Sequence, residues 1–81
     1  MNNVELIHKV KGLLREKSRY KGEIDMDHSL AGMLNSITYI QFLIACEDAF
    51  EIEIEDGELG MTNFSTFQDM VDFLTKKVYQ S

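Results

Sequence analysis

The sequence predicts an all-α fold, organised as a single domain over residues 1–81. Apolar residues recur at helical spacing in three long segments, and each segment follows a residue type that caps helix N-termini. The one segment with strand-like alternation, EIEIE at residues 51–55, has no second run with which it could pair. A chain of this length buries only about 60–65% of its unfolded surface, which leaves little room for a deep catalytic cavity.

The first helix is predicted from about Asn3 to Lys17. Asn2 and Glu5 have the spacing of a capping box in its asparagine form. The apolar stripe that should face the core consists of Val4, Ile7, Val10 and Leu14, with Leu6 and Leu13 beside it.

A long loop is predicted from Tyr20 to Leu34, because this segment has no sustained period and contains two glycines. Three apolar residues should fold it onto the core: Ile24, Leu30 and Leu34. The segment that starts at Asp25 resembles the opening of a calcium loop, but Leu30 stands where glycine is needed and Ser36 where glutamate is needed. A calcium site is therefore excluded, and Asp25 and Asp27 should be solvated.

The central helix is predicted to begin at Ser36, with Asn35 as its N-cap, and to end at Phe50. At about 100° per residue, one arc of this helix should face the core. That arc comprises Tyr39, Ile40, Leu43, Cys46 and Phe50, with Phe42 at its margin. Ile37 and Ile44 fall on a different face, near Gln41 and Asp48. Either this second face binds a partner, or the helix packs on two sides.

The remainder of the chain should form a connector and two further helices. Residues 51–55 are expected to be extended and to bury Ile52 and Ile54. A short third helix is predicted from Asp56 to Met61, with Leu59 and Met61 pointing inward. The last helix should run from about Thr66 to Tyr79, after a Ser65-x-x-Gln68 capping box with Phe64 as a staple. Its apolar stripe is Phe67, Met70, Val71, Leu74 and Val78.

Charge is distributed unevenly along the chain. Residues 1–22 hold six Lys or Arg and two Glu, a net charge of +4, whereas residues 23–81 hold two Lys and twelve acids, a net charge of −10. Such an acidic surface repels nucleic acid and favours basic partners, although ordinary solubilising charge is the commoner explanation. No leader peptide or long apolar run is present, so we expect no membrane span and a cytoplasmic location. The single cysteine, Cys46, excludes an internal disulfide.

Ser36 is the candidate functional residue. At the first position of a helix its hydroxyl should face solvent, beside backbone N–H groups and the positive end of the helix dipole. A phosphate ester on Ser36 would therefore lie in a favourable field. On position alone, a serine that merely assists capping is the alternative.

The pattern Leu34-Asn35-Ser36-Ile37, followed by Ile40, Leu43, Cys46-Glu47-Asp48 and Phe50, resembles the acyl carrier protein family. The family signature is Asp-Ser-Leu at the start of a helix that ends in an acidic-acidic-x-Phe run. The resemblance implies a small four-helix carrier-protein bundle in which Ser36 bears a 4′-phosphopantetheine arm. The thiol of that arm holds an acyl group as a thioester. Asn35 replaces the family's aspartate, which keeps the cap but removes a charge that the modifying transferase recognises, and Ile37 replaces the leucine.

Three classes of function follow. The resemblance implies a carrier without catalytic activity, in fatty acid, polyketide or nonribosomal peptide biosynthesis. Because neither end of the sequence shows a linker, we expect a freestanding carrier, and we expect it to be a monomer. Its partners would be a phosphopantetheinyl transferase, an acyl- or aminoacyl-loading enzyme and downstream synthases or transferases. They would bind a face made of Ile37, Gln41, Ile44, Glu47 and Asp48.

The second class is an unmodified interaction module that keeps the carrier fold. The third is an enzyme, which would need a base for its serine nucleophile. The only histidines are His8 and His28, no Gly-x-Ser-x-Gly turn surrounds Ser36, and the sequence contains no metal-ligand motif.

Overall fold

The computed structural model describes residues 2–18, 20–58, 60 and 64–80. Three α-helices are present in these residues: α1 is Asn3–Ser18, α2 is Ser36–Phe50 and α3 is Phe67–Gln80. A 3₁₀ turn, Asp56–Glu58, lies between α2 and α3. The only β-pairing in the described residues is an isolated bridge between Ser29 and Thr66. The all-α prediction is thus confirmed, and none of the described helices is long and apolar enough to cross a bilayer.

One hydrophobic core joins the three helices and the segments between them, with α1 packed against both α2 and α3. Its members are buried apolar side chains from every part of the described chain: Leu6, Val10, Leu14, Ile24, Leu30, Leu34, Tyr39, Phe42, Leu43, Cys46, Ile54, Phe64, Phe67, Met70, Val71 and Leu74. Burial of this apolar surface is the main favourable contribution to folding.

Helix α1 begins as predicted, because the Asn2 side-chain oxygen accepts a hydrogen bond from the Glu5 backbone N–H at 2.9 Å. The predicted core stripe was wrong in one position. Val4 is 64% exposed, whereas Leu6, placed beside the stripe, is fully buried. The buried line therefore runs through residues four apart, from Leu6 to Val10 and Leu14. Val4 lies too near the start of α1 and on the wrong side to reach the core.

The connection between α1 and α2 contains no helix in its described residues, 20–35. Ile24, Leu30 and Leu34 are buried, as predicted. Backbone hydrogen bonds attach this segment to the start of α3: the Phe67 N–H donates to the His28 carbonyl at 2.9 Å, and the Leu30 N–H donates to the Ser65 carbonyl at 3.1 Å. The chain that leads into α2 is therefore held in place by α3.

After α2, residues 52–55 form no helix or strand, and Ile54 is buried and Ile52 partly buried, as predicted. The 3₁₀ turn Asp56–Glu58 occupies the first half of the predicted third helix. Leu59 and Met61, expected to point inward, lie outside the described residues. The fourth helix therefore stays a prediction.

The predicted cap of α3 was wrong by one residue. The N-cap is Thr66, whose hydroxyl accepts the Asp69 N–H at 3.3 Å, rather than Ser65 with Gln68. The Asp69 carboxylate accepts the N–H groups of Ser65 and Thr66 at 3.0 and 3.2 Å. A carboxylate is a stronger acceptor than a glutamine amide at a helix N-terminus, which explains the shifted register. Phe64 is buried and packs against the Phe73 ring, with 4.9 Å between centroids.

Candidate functional site

The first turn of α2 is held by a reciprocal capping box. Asn35 is the N-cap, in extended backbone conformation, and its side-chain oxygen accepts the Thr38 N–H at 2.9 Å. In return, the Thr38 hydroxyl accepts the Asn35 N–H at 2.9 Å. The predictions that Asn35 caps the helix and that Ser36 is its first residue are both confirmed.

The N-terminus of α2, which begins at Ser36, is open to solvent. Ser36 is exposed, and its hydroxyl makes no hydrogen bond to any described residue. The N–H groups of Ser36 and Ile37 also have no partner in the described part of the chain. The first turn carries no acidic residue. An anionic group on the Ser36 oxygen would therefore meet unpaired donors and the positive end of the helix dipole.

The other described serines lie in different surroundings. Ser18 ends α1, and its hydroxyl accepts the Tyr20 N–H at 3.1 Å. Ser29 lies in the bridge to Thr66. Ser65 precedes α3, whose N-terminus already holds the Asp69 carboxylate. Among the serines that the structure describes, Ser36 alone stands at an unoccupied helix N-terminus.

The buried side of α2 differs from the predicted arc. Tyr39, Phe42, Leu43 and Cys46 are each no more than 2% exposed, whereas Ile40 is 41% exposed. The prediction that Ile40 faces the core was wrong, and Phe42 lies inside the arc rather than at its margin. The largest apolar side chain determines the rotation of a helix that is apolar on most sides, because its burial removes the most surface from water.

The opposite side of α2 is an exposed face that we call the outward face; it consists of Ile37, Ile40, Gln41, Ile44 and Asp48. Ile37 is 70% exposed and Ile44 is 52% exposed, so α2 does not pack on two sides among the residues that the structure describes. The outward face contains four of the five predicted partner-binding residues and one that the sequence reasoning missed, Ile40. Counting Phe42 as a full core residue would have rotated the predicted arc away from Ile40.

Glu47, the fifth predicted partner residue, has another contact. It is half-buried, and its carboxylate accepts the backbone N–H of Ile54 at 2.9 Å. Its backbone carbonyl also accepts the N–H of Glu51, the C-cap residue of α2, and the N–H of Ile52. Glu47 therefore connects the end of α2 to the following connector and lies at the edge of the outward face.

A groove of about 320 Å³ lies where α1 meets the outward face. It is lined by Gln41, Ile44, Ala45 and Asp48 of α2 and by Lys17 of α1. Lys17 also lies 3.7 Å from the exposed carboxylate of Glu16. No local sequence pattern indicated that α1 brings a cation to this face.

Burial raises the pKa of two side chains on the core-facing side of α2. It raises the pKa of the Cys46 thiol to about 12, with a smaller contribution from the charge of Glu47. It likewise raises the pKa of Tyr39 to about 12. The Tyr39 hydroxyl donates to the Gly60 carbonyl at 3.4 Å. Cys46 thus stays a protonated, buried thiol at neutral pH.

Neither histidine is near enough to Ser36 to form a hydrogen bond with it in the described structure. His28 accepts the Asp25 N–H at its Nδ1 atom at 2.8 Å, and its Nε2 atom lies 3.2 Å from the Tyr20 hydroxyl. His8 is exposed on α1. The residues described include no cluster of metal-ligating side chains.

Comparison with known proteins identifies the family. The family described as "Phosphopantetheine attachment site" matches residues 8–74. Acyl carrier proteins from Guillardia theta and from Thermosynechococcus vestitus are each 32% identical over 81 residues, which is 96% of this chain and 98% of each relative. The matched region contains Ser36 and every core residue of the three helices except Leu6. The chain therefore belongs to the acyl carrier protein family, whose prosthetic group is 4′-phosphopantetheine.

Proposed function

We propose that this protein carries an acyl or aminoacyl group as a thioester on a 4′-phosphopantetheine arm attached to Ser36. The observation that carries the proposal is the open N-terminus of α2, where an exposed hydroxyl stands beside unpaired N–H groups with no acidic neighbour in the first turn. The arm, once attached, supplies a terminal thiol.

The residues around Ser36 suit a phosphodiester. A phosphopantetheinyl transferase would use the Ser36 oxygen as the nucleophile on the pantetheine-side phosphorus of the coenzyme A diphosphate. The bond from that phosphorus to the bridging oxygen breaks as the new P–O bond forms, adenosine 3′,5′-bisphosphate leaves, and the serine proton passes to a base of the transferase. The N–H groups of Ser36 and Ile37 then lie next to the negative charge of the ester. Asn35 and Thr38 hold this turn through their two reciprocal bonds and add no charge of their own.

Partner enzymes would bind the outward face of α2, with Glu47 at its edge. These partners are the phosphopantetheinyl transferase, an acyl- or aminoacyl-loading enzyme, and downstream synthases or transferases of fatty acid, polyketide or nonribosomal peptide biosynthesis. We further propose that the carrier acts as a cytoplasmic monomer without catalysis of its own. Brief contacts suit a carrier that must visit several enzymes in turn.

The test is incubation of the protein with coenzyme A and a broad-specificity phosphopantetheinyl transferase, followed by intact mass measurement. The wild type should gain one phosphopantetheinyl group, and Ser36→Ala should gain none. Ser65→Ala is the matched control, because Ser65 is also an exposed serine beside a helix N-terminus. It should be modified as fully as the wild type.

Thiol alkylation gives a second readout. The buried Cys46, with its pKa raised to about 12, should not react in the folded protein at neutral pH. A thiol reagent should therefore label the primed protein once and the unprimed protein not at all. Failure of the wild type to gain mass with several transferases would contradict the proposal. It would favour an unmodified interaction module, the hypothesis that the neutral Asn35 supports.

A further inference from the structure

We propose that a second groove, at the C-terminal half of α1, binds an acidic protein segment that presents one apolar side chain between carboxylates. We call it the α1 groove; its described lining residues are Gly12, Arg15, Glu16, Tyr20 and Lys21. It shares no lining residue with the groove beside the outward face. The site lies apart from the proposed attachment site, so the inference goes beyond the carrier function and stands or falls independently of it.

Gly12 exposes bare backbone in the middle of α1. Glycine is the least favourable helix residue after proline, so its presence inside a helix costs stability. A closely packed neighbour would explain it, but a Cβ atom added at Gly12 would meet nothing within 4 Å beyond the local backbone of α1, among the described residues. Packing within the described chain therefore gives no reason for this glycine. What it provides is an open floor for the α1 groove.

Tyr20 lines the α1 groove and is held by residues outside it. Its backbone N–H donates to the Ser18 hydroxyl at 3.1 Å, and its own hydroxyl lies 3.2 Å from the Nε2 atom of His28. The Tyr20 and His28 rings are in edge contact, with 5.4 Å between centroids. Gly22 permits this arrangement, because a Cβ atom there would lie 2.9 Å from the Tyr20 hydroxyl oxygen. The groove is thus preformed, and binding requires little ordering of Tyr20.

The α1 groove carries net positive charge. Arg15 and Lys21 are exposed, and neither forms an ion pair with a described residue. Glu16 is the one acid of the described lining, and its carboxylate lies 3.7 Å from the Lys17 ammonium. Residues 1–22, with six Lys or Arg and two Glu, are also cationic as a segment. Because exposed charges beyond about 10 Å are screened, a ligand here meets positive charge although the whole chain is acidic.

The shape and chemistry of the α1 groove favour an acidic protein segment. Its volume is about 580 Å³, and the Tyr20 ring and the aliphatic stems of long charged side chains make its lining mostly apolar. A concave apolar site receives a projecting side chain, whereas a bilayer surface is flat and would contact only the rim. Carboxylates on both sides of that side chain would pair with Arg15 and Lys21.

The test follows backbone amide resonances of the ¹⁵N-labelled full chain during titration with a synthetic peptide. The peptide has a central leucine between two pairs of aspartates, and a control peptide has lysines in place of the aspartates. We expect saturable shifts at Gly12, Glu16 and Lys21 with the aspartate peptide only. Raising the ionic strength from about 20 to about 150 mM should weaken its binding at least threefold. Absence of shifts at the α1 groove, or equal binding of the lysine peptide, would overturn the proposal.

Substitutions at Gly12 test the shape of the groove. Gly12→Gln fills the floor and should weaken peptide binding about tenfold, whereas Gly12→Ala adds one methyl group and should weaken it less than about twofold. Val4→Gln, at an exposed position of α1 outside the groove, is the control and should leave binding unchanged. Gly12→Gln should also raise the melting temperature by about 3 °C, so lost binding cannot reflect unfolding. Equal losses in Gly12→Gln and Val4→Gln would contradict the site.

Substitution of single cations tests the charge of the groove. Arg15→Gln and Lys21→Gln should each weaken peptide binding about threefold at low ionic strength. Lys76→Gln removes the same charge from an exposed lysine of α3 and should have no effect. Ser36→Ala should bind the peptide as the wild type does, whatever the outcome of priming. A loss in Lys76→Gln as large as that in Arg15→Gln would overturn the proposal, because the peptide would then respond to total charge.

Anionic vesicles test a membrane as the other source of negative charge. Vesicles of phosphatidylcholine with one third phosphatidylglycerol are mixed with the protein and sedimented. We expect no binding, because the groove is concave and the chain has a net charge of −6. Vesicle binding that Arg15→Gln abolishes, together with no shifts from the aspartate peptide, would assign the α1 groove to a lipid surface and overturn the proposal.

Discussion

Helices α2 and α3 both begin with a reciprocal capping box, yet the two boxes leave their helix ends in different electrostatic states. In α2 the cap is a neutral amide, Asn35, paired with the Thr38 hydroxyl. In α3 the cap is Thr66, paired with the Asp69 carboxylate, which accepts the N–H groups of both Ser65 and Thr66. The positive end of α3 is therefore already neutralised by the chain itself, whereas that of α2 is not.

The difference shows how one local motif can serve either stability or binding. A carboxylate in the first turn satisfies donors and interacts favourably with the helix dipole, so it stabilises α3 and leaves nothing for an external anion. A neutral cap fixes the geometry of α2 and leaves donors and field available beside Ser36. The substitutions below test this contrast, from the largest expected effect to the smallest.

Removal of the Asp69 carboxylate should have the largest effect. Asp69→Ala deletes two hydrogen bonds and a favourable charge at the N-terminus of α3, so it should lower the free energy of unfolding by about 1–2 kcal/mol. Chemical denaturation measures this loss. Asp27→Ala, at an exposed acid in the connection before α2, serves as the control and should change stability by less than about 0.5 kcal/mol. Equal losses in the two variants would refute the role assigned to Asp69.

Removal of the Asn35 cap should cost less, because one neutral bond is lost on that side of the box. Asn35→Ala is expected to lower the free energy of unfolding by about 1 kcal/mol. Asn35→Gly should cost only a few tenths, about 0.3 kcal/mol, since glycine leaves the first turn open to water. A loss below about 0.3 kcal/mol for Asn35→Ala would contradict the role of this side chain as the cap of α2.

Addition of a charge at the cap of α2 sharpens the contrast. Asn35→Asp should stabilise the unprimed protein by about 0.7 kcal/mol at low salt, through the helix dipole. In the primed protein the same carboxylate lies beside the phosphate of Ser36, so the gain should shrink or reverse. Denaturation of both variants in both forms measures the coupling. An identical gain before and after priming would show that the phosphate does not lie at this helix end.

A substitution at the C-terminus of α2 should have the smallest effect on stability, and it serves as a reference for priming. Glu51 ends the helix in the left-handed region, with φ at 54°, a conformation that glycine adopts without strain. Glu51→Gly should therefore raise the free energy of unfolding by about 0.5 kcal/mol, the relief of strain being partly offset by chain entropy. Priming should be unchanged, because Glu51 lies at the opposite end of α2 from Ser36. Destabilisation on denaturation would contradict the assigned backbone strain.

The N-cap of a helix could be predicted from the sequence where one capping pattern fitted best. Asn35 is a strong N-cap residue directly before the central helix, so both the cap and the position of Ser36 followed from it. Before α3, Ser65 with Gln68 and Thr66 with Asp69 have the same spacing, and the sequence alone did not rank a carboxylate above an amide. The boundary was therefore missed by one residue.

Side-chain orientation was harder to predict because it depends on contacts distant in sequence. Ile40 was assigned to the core since α2 is apolar on most sides, and only packing against α1 and the other segments determines its rotation. The hydrogen bond of the Glu47 carboxylate could not be predicted, because its donor, the Ile54 N–H, comes within reach only when the connector folds back onto α2. Lys17 reaches the outward face through the packing of α1 on α2, which no local pattern records.

The most direct test of the account is a comparison of backbone amide resonances before and after priming, using ¹⁵N-labelled protein. Attachment at the open end of α2 predicts that the largest shifts occur at Ser36 and Ile37, whose N–H groups face the new phosphate. The amides of Ser65, Thr66 and Asp69 at the start of α3 should be unchanged. Large shifts at α3, or none at Ser36 and Ile37, would contradict the claim that α2 presents the attachment site.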